Sequence, residues 1–431
     1  MHGLRRLEAT AEFHRIPPPA RRIVAATACN SLGSGLVLPL LVVYLTRIVH
    51  LHLAVATACL SLISVGALAG NPLAGWTADR YGRLTSLAVH IALTTVAVSL
   101  LAASSALWST VASTVLMGLG VGGSAAWSTF LAEAVPPSGR AAAFGLNYVV
   151  TNSGIAIGAL AGGFLASVRH PWTFRALYAL DAVSFAAALA IVAAGPAYRG
   201  RPAAEPGHGS DCGADAAAPA PGYRLLLTNR PLLLLAMLGA LLFLGGYSQV
   251  ESGLVALLYT YSRIGTAGIG VAFTVNTIVL LVMHEVRART ADGSAPWTSL
   301  SRIGLCWVGA WGLIYAATGP SGTFLPLVLL CAGLSLFAVG ETFYGSAVAA
   351  TVNAAVTDRV RGRSNALYNT ATSLGFVIGP VLAGMVVGVE AGRVFVAVVA
   401  GTCLGASILG RHISRTMEAA AKPQKEGPSC T

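Results

Sequence analysis

The sequence predicts an all-α membrane protein. Of its 431 residues 55% are hydrophobic, only 10% are charged, and the mean hydropathy is +0.72. A water-soluble domain carries about 25% charged residues, so a soluble fold of this length would have almost nothing with which to cover its surface. That argues against a soluble enzyme and a secreted disulfide scaffold. The net charge of +11 is spread between apolar segments and not clustered, so no nucleic-acid partner is expected. A crossing takes roughly 20 apolar residues, and lipid cannot satisfy an open backbone. Runs of that length therefore read as helices, because a barrel strand is half as long.

The elements follow in order. Residues 1–20 hold Arg5, Arg6, Glu8, Glu12 and Pro17-Pro18-Pro19 without an apolar core. No cleavable signal peptide is expected, and the first helix should direct insertion. Apolar stretches of spanning length lie near 23–47, 53–77, 85–107, 109–133, 143–167, 173–195, 231–258, 267–285, 300–318, 323–349, 367–388 and 393–411. Between the sixth and the seventh, residues 196–229 contain Pro196, Pro202, Pro206, Pro219 and Pro221 with Gly, Ala and scattered charge, a linker composition. The expected organisation is a cytoplasmic segment 1–20, a six-helix bundle 21–195, a cytoplasmic linker 196–229, a second six-helix bundle 230–416 and a cytoplasmic tail 417–431.

Twelve crossings with both termini in the cytoplasm place 22 of the 27 Lys and Arg residues inside and leave outside only Arg47, Arg169, Arg175, Arg263 and Arg393. Such an excess of inward positive charge is what sets topology, and an odd helix number would scramble it. The halves also repeat. Gly123-Ser124-Ala125 answers Gly345-Ser346-Ala347, Gly139-Arg140 answers Gly362-Arg363, and Gly154-x-x-x-Gly158 answers Gly375-x-x-x-Gly379, all at nearly one offset. Parallel repeats with a site between them near the midplane describe one transporter architecture. The seven cysteines have no metal-ligand spacing, and five lie in apolar runs; they read as buried thiols. No metal and no cofactor is expected, there is no phosphate-binding loop, and the linker has no room for a catalytic domain.

Between the second and third stretches stands Gly70-Asn71-Pro72-Leu73-Ala74-Gly75-Trp76-Thr77-Ala78-Asp79-Arg80-Tyr81-Gly82-Arg83. Gly82 permits a turn of two or three residues, Gly75 permits close approach of another helix, and Asp79 can pair with Arg83 or cap a facing helix. The run resembles the signature of the major facilitator superfamily. That resemblance, over residues 21–415, implies the twelve-helix fold of that family. It also implies that Gly75, Asp79, Arg80, Gly82 and Arg83 form a latch holding the outward-open state, against the start of the eleventh helix near Arg361 and Arg363. The plainer alternative is a solvated turn. The usual second basic residue after Arg83 is Leu84 here, and the matching loop at 285–292 lacks the pattern, so one latch is implied and not two.

The fifth stretch carries Gly145, Gly154, Gly158-Ala159 and Gly162-Gly163. This resembles the antiporter signature of the drug:proton branch, with Ala159 in place of its proline. Gly154, Gly158 and Gly162 share one helix face and make a groove for a partner helix, although small-residue stripes also serve ordinary membrane packing. The arginine that the branch usually carries in its fourth helix is absent, since no basic residue occurs from 109 to 132.

An ionisable group inside a spanning helix costs about 3 kcal/mol or more at the centre and so calls for a role. Glu341, Glu251 and Asp181 are the candidates for proton coupling or substrate contact; the alternative for each is a structural hydrogen bond between helices. Glu133 and Glu285 read as solvated or paired with Arg140 and Arg287, and His90 as a packing histidine. Asn30, Tyr44, Asn147, Asn152, Tyr247 and Asn276 are the polar candidates for a cavity, joined by Asn353 and by aromatic Trp127, Phe243, Phe337 and Tyr344. Such a lining suits drug-sized organic molecules or cations over sugars. The sequence is thus read as a monomeric secondary transporter that exports drug-like or antibiotic small molecules across the lipid bilayer in exchange for protons, by alternating access. With 25 Arg and only 2 Lys, its coding DNA is expected to be GC-rich and its home a bacterial cytoplasmic membrane. The rivals are an importer or facilitator of a metabolite on the same fold, and a receptor that has lost transport.

Overall fold

A computed structural model describes residues 17–194, 228–289, 295–319, 323–356 and 361–421. Among the described residues every regular element is helical. In chain order they are α1 (Pro18–Ile48), α2 (Leu53–Tyr81), α3 (Arg83–Ala102), α4 (Leu107–Val121), α5 (Ser124–Glu133), α6 (Arg140–Leu165), α7 (Pro171–Ala193), α8 (Arg230–Tyr261), α9 (Thr266–Arg289), α10 (Leu300–Ala316), α11 (Leu325–Ala354), α12 (Arg361–Val387) and α13 (Gly392–Ala421). Ten are long and apolar enough to cross a membrane; α4, α5 and α10 are shorter. The chain is a multi-pass membrane protein. The linker expected at 196–229 lies, but for its last two residues, outside the described residues, and α13 runs to Ala421, past the boundary expected at 416.

Local chemistry sets the ends. Pro18, Pro171 and Pro231 open their helices, where a missing N–H costs nothing. The Asn229 side chain accepts from the Leu232 N–H at 3.1 Å and caps α8. Gly82 alone separates α2 from α3, at φ +87°, a turn tighter than the sequence predicts and open only to glycine. Hydroxyls inside the helices bond back to carbonyls one turn earlier, as Thr27 does to Ile23 at 3.0 Å and Thr114 to Thr110 at 3.0 Å. Such bonds keep these hydroxyls paired inside an apolar medium.

The stretch 109–133, expected as one helix, breaks at Gly122-Gly123. Gly122 abuts the backbone of Gly70 on α2, and Gly123 lies under the His90 ring. The Gly123 N–H bonds to the Gly120 carbonyl at 3.0 Å, which leaves the Leu119 carbonyl to accept from His90 Nδ1 at 2.9 Å. A carbonyl only accepts, so Nδ1 carries the hydrogen. His90 is a packing histidine, as expected, though its Nε2 is buried with no partner.

Helix neighbours recur between the first and second halves of the chain. α1 packs on α6 and α7, α2 on α4, and α3 on α4 and α7. Likewise α8 packs on α12 and α13, α9 on α11, and α10 on α11 and α13. The halves meet along two seams, α6 on α9 and α2 on α12, each the counterpart of the other. Glycines make these approaches possible. Gly154, Gly158 and Gly162 of α6 lie directly on the α1 backbone from Ser31 to Leu36, so the partner of the predicted groove is α1. Gly163 turns instead to Thr266 and Gly270 of α9. In the second half the core is built on α10. Trp307 stacks on Phe337 with ring centroids 4.5 Å apart and donates to the Phe337 carbonyl at 3.1 Å, while Trp311 donates to the Gly245 carbonyl at 3.0 Å.

Candidate functional site

Two of the three intramembrane acids come together. Tyr247 and Glu251 of α8 both lie near enough to the Glu341 carboxyl of α11 to act on it electrostatically. Glu341 is half-buried; Glu251 faces open space although protein surrounds it. Both therefore border an internal cavity and not the packed core. Between Phe243 and Gly253 two successive π-helical turns widen α8. Each such turn rotates the residues beyond it relative to a regular helix, a device often found at functional sites. Gly245 and Gly246 allow it, because Trp307 occupies the space a side chain at Gly246 would need.

Aromatic rings wall this acid pair. Tyr247 meets Phe243 at 4.9 Å, Trp307 at 5.3 Å, Tyr344 at 5.4 Å and Phe337 at 6.0 Å between centroids. The Tyr344 and Tyr368 hydroxyls lie 3.2 Å apart. From the other half Tyr148 of α6 closes the wall: Glu341 acts on it electrostatically, and its ring packs on His284 of α9 at 5.1 Å. A box of rings holding two carboxyls can take an organic cation, by charge and by cation–π attraction.

Asp181 is elsewhere. It is buried in the first half between α1 and α7, where Ser184 Oγ and Ser34 Oγ donate to Oδ1 at 3.3 and 3.4 Å. Tyr44 is fully enclosed and donates to the Leu101 carbonyl at 2.6 Å, in the same packed region and away from the acid pair. Asn152 donates to the Tyr148 carbonyl and Asn276 to the Leu334 carbonyl, both at 2.9 Å, so these two are tied to backbone. Asn30 Oδ1 and Asn147 Oδ1 are buried without partners. Trp127 donates to Thr27 Oγ1 at 2.9 Å and stays in the first half, and Asn353 accepts from Asn365 Nδ2 at 2.9 Å. Arg140 Nε donates to the Ala132 carbonyl at 3.0 Å, while the Glu133 side chain lies outside the described residues. Tyr148, Tyr368, Trp307 and His284 carry no periodic signal that separates cavity rings from lipid-facing ones.

The two ends of the molecule differ. Where α1 meets α2, at His50, the halves are clasped. The Arg47 guanidinium lies 4.0 Å from the Tyr259 ring centroid, Thr266 Oγ1 donates to the Ala166 carbonyl at 3.0 Å, Gly163 faces Gly270, and Gly384 rests on Ala54 and Thr57. Further along the same seam Thr274 Oγ1 donates to the Ala156 carbonyl at 3.0 Å. At the opposite end, at Gly82, a side chain placed at Gly75, Gly145 or Gly345 would meet open space. Asp79, Arg80 and Arg83 are exposed, with the Arg80 guanidinium 5.9 Å from the centroid of Trp76. The side chains of Arg361 and Arg363, the expected latch partners, lie outside the described residues.

This architecture, with two matching sets of helices about an acid-bearing cavity, is that of a membrane transporter. The sequence profile of the Major Facilitator Superfamily matches residues 23–292, and the chain belongs to that superfamily. It is 28% identical over 170 residues to an uncharacterized MFS-type transporter, YttB, of Bacillus subtilis (strain 168), covering 39% of this chain and 43% of that one. It is 31% identical over 121 residues to myo-inositol transporter 3C of Cryptococcus neoformans var. grubii serotype A, covering 28% and 20%. The matches thus span less than half the length of these relatives. Among solved structures, a D-xylose-proton symporter aligns over 91% of this chain and 96% of its own at 14% identity and a TM-score of 0.69. The nucleoside transporter NupG aligns over 92% and 99% at 12% identity and a TM-score of 0.71.

Proposed function

We propose that this protein is a proton-coupled exporter of lipophilic, drug-like cations, working by alternating access. The observation that carries the reading is the pair Glu341 and Glu251 beside Tyr247, inside a box of aromatic rings. A carboxyl that binds either a proton or an organic cation links the two by competition, and the rings supply cation–π contacts. The glycine run of α6 supports export over uptake, because it resembles the antiporter signature and its Gly154, Gly158 and Gly162 lie on α1.

In this reading the chain crosses the membrane twelve times, α4 and α5 together making one crossing. The helices divide into bundles at 21–195 and 230–416, with the Gly82 end and both termini in the cytoplasm of a bacterium. The cavity then opens inward with its outer end clasped. The run Gly75 to Arg83 is a latch that closes in the opposite, outward-open state. The protein works as a monomer, needs no cofactor and catalyses no covalent reaction. A second reading, uptake of a polyol or sugar on the same scaffold, is favoured by the likeness to the fungal myo-inositol transporter.

The test is transport in everted membrane vesicles. With a proton gradient imposed, tetraphenylphosphonium should be accumulated and should dissipate the gradient, while xylose and myo-inositol should not. Glu341→Gln should abolish gradient dissipation at equal protein abundance. Dissipation by myo-inositol in place of the cation would establish the second reading.

A further inference from the structure

Glu341 does not stand alone among titratable side chains of the cavity. Tyr148 and His284 come from α6 and α9, the two helices of one seam between the halves. Their rings lie 5.1 Å apart with planes inclined by 36°. Both side chains are exposed, although both helices are apolar and of membrane-spanning length.

The helix register sets His284 at the height of the acid. Asn276 Nδ2 donates to the Leu334 carbonyl, and Arg287 donates to Ser346 Oγ, at sequence separations of 58 and 59. The same offset sets His284 of α9 level with Thr342 of α11, one residue from Glu341. Tyr148 relates to both: its ring packs on His284, and Glu341 is near enough to act on it electrostatically. The charged and titratable surroundings are limited. α6 offers Tyr148, α11 offers Glu341, and the Leu38–Leu40 turn of α1, which also packs on α9, offers none. On α9 itself Glu285 and Arg287 follow His284, and the Arg287 guanidinium is taken up 4.2 Å over the Phe343 ring.

We propose that His284 is a second proton-bearing side chain of the transport cycle. The Tyr148 ring stands between it and Glu341, so that the proton load of the cavity is shared by His284 and Glu341. Each group takes its proton from cavity water and returns it there; no bond other than O–H or N–H is made or broken. Because Tyr148 and His284 sit on opposite sides of the α6–α9 seam, the charge on the imidazole also acts on the contact between the halves, through the cation–π attraction of a protonated ring for the tyrosine face. This rests on the proton-coupled reading above.

The test uses the full-length protein and two readouts. In everted vesicles, His284→Gln should lower gradient-driven tetraphenylphosphonium uptake at least fivefold and leave exchange of the same probe at equal pH within twofold. Tyr148→Leu should also lower driven uptake, and Tyr148→Phe, which keeps the ring, should restore it. In purified protein, the ring carbon resonance assigned to His284 by its loss in His284→Gln should titrate. Its midpoint should be displaced by half a unit or more in Glu341→Gln and by less than a tenth in Asp181→Asn. Unchanged driven uptake in His284→Gln, an equal fall of uptake and exchange, or a midpoint indifferent to Glu341 each overturns the proposal. If wild-type vesicles carry no probe, the export reading fails, and the ring titration alone decides whether the two groups are linked.

Discussion

Glu341 owes its chemistry to one neighbour. Tyr247 of α8 lies beside it, and a hydrogen bond from its hydroxyl to a charged acceptor would contribute about 1.5–3 kcal/mol. Tyr247→Phe keeps the ring in the aromatic box and removes that donor alone. It should displace the pH–rate profile of transport along the pH axis by about one unit, since about 1.4 kcal/mol corresponds to one unit. A profile that stays in place would show that the bond does not govern the coupling carboxyl. Asp181→Asn should leave the profile unmoved, because Asp181 is bonded to Ser34 and Ser184 in a packed part of the first half. The three acids were legible in the sequence as charges that lipid would not tolerate. Which two share a cavity was not, since that depends on how α8 and α11 are turned, and the π turns of α8 leave no mark in the pattern of apolar residues. Tyr148 and His284 were missed for a related reason: a ring or imidazole pointing inward and one pointing at lipid occupy the same kind of position in an apolar run.

Elements are held together by contacts only glycine allows. The stripe Gly154, Gly158 and Gly162 was legible as a groove from its spacing of four, and its partner proved to be α1. Gly158→Leu would force α6 away from the Leu32 carbonyl and the Gly35 backbone, and overpacking of this kind costs about 1–3 kcal/mol. We expect a thermal midpoint in detergent lowered by several degrees. Gly145, where a side chain meets open space, should accept Leu with no loss of stability, and equal losses at both sites would contradict the assignment of faces. Gly246→Val should be the most damaging glycine substitution in α8, because its side chain would run into Trp307 beside the acid pair. The break at Gly122-Gly123 was not expected. The two glycines were read as part of a continuous apolar run, whereas the His90 ring and α2 occupy the space that side chains at these positions would take.

For the whole molecule the two ends differ, and transport depends on their exchanging roles. The positive-charge count predicts that the Gly82 end faces the cytoplasm, and the repeat offsets anticipated matching halves. Neither could say which end is closed, because alternating states share one sequence and differ by only a few kcal/mol. The clasp at the His50 end is correspondingly modest. A cation–π pair such as Arg47 on Tyr259 is worth about 1 kcal/mol, so Arg47→Ala should shift the inward-to-outward ratio about fivefold toward outward-open. A larger shift is expected from Gly163→Leu, which wedges the α6–α9 seam. Labelling of a cysteine introduced at Glu251 by an impermeant reagent from outside should report both. The most direct test is a pair of spin-label distances measured on the same protein, one between cysteines at Tyr81 and Ala366 near the Gly82 end, the other between cysteines at Trp172 and Phe324 near the His50 end. Raising the pH from 5 to 8 should lengthen one distance while the other shortens. Two distances that move in the same sense, or that both ignore pH, would contradict proton-linked alternating access in this chain.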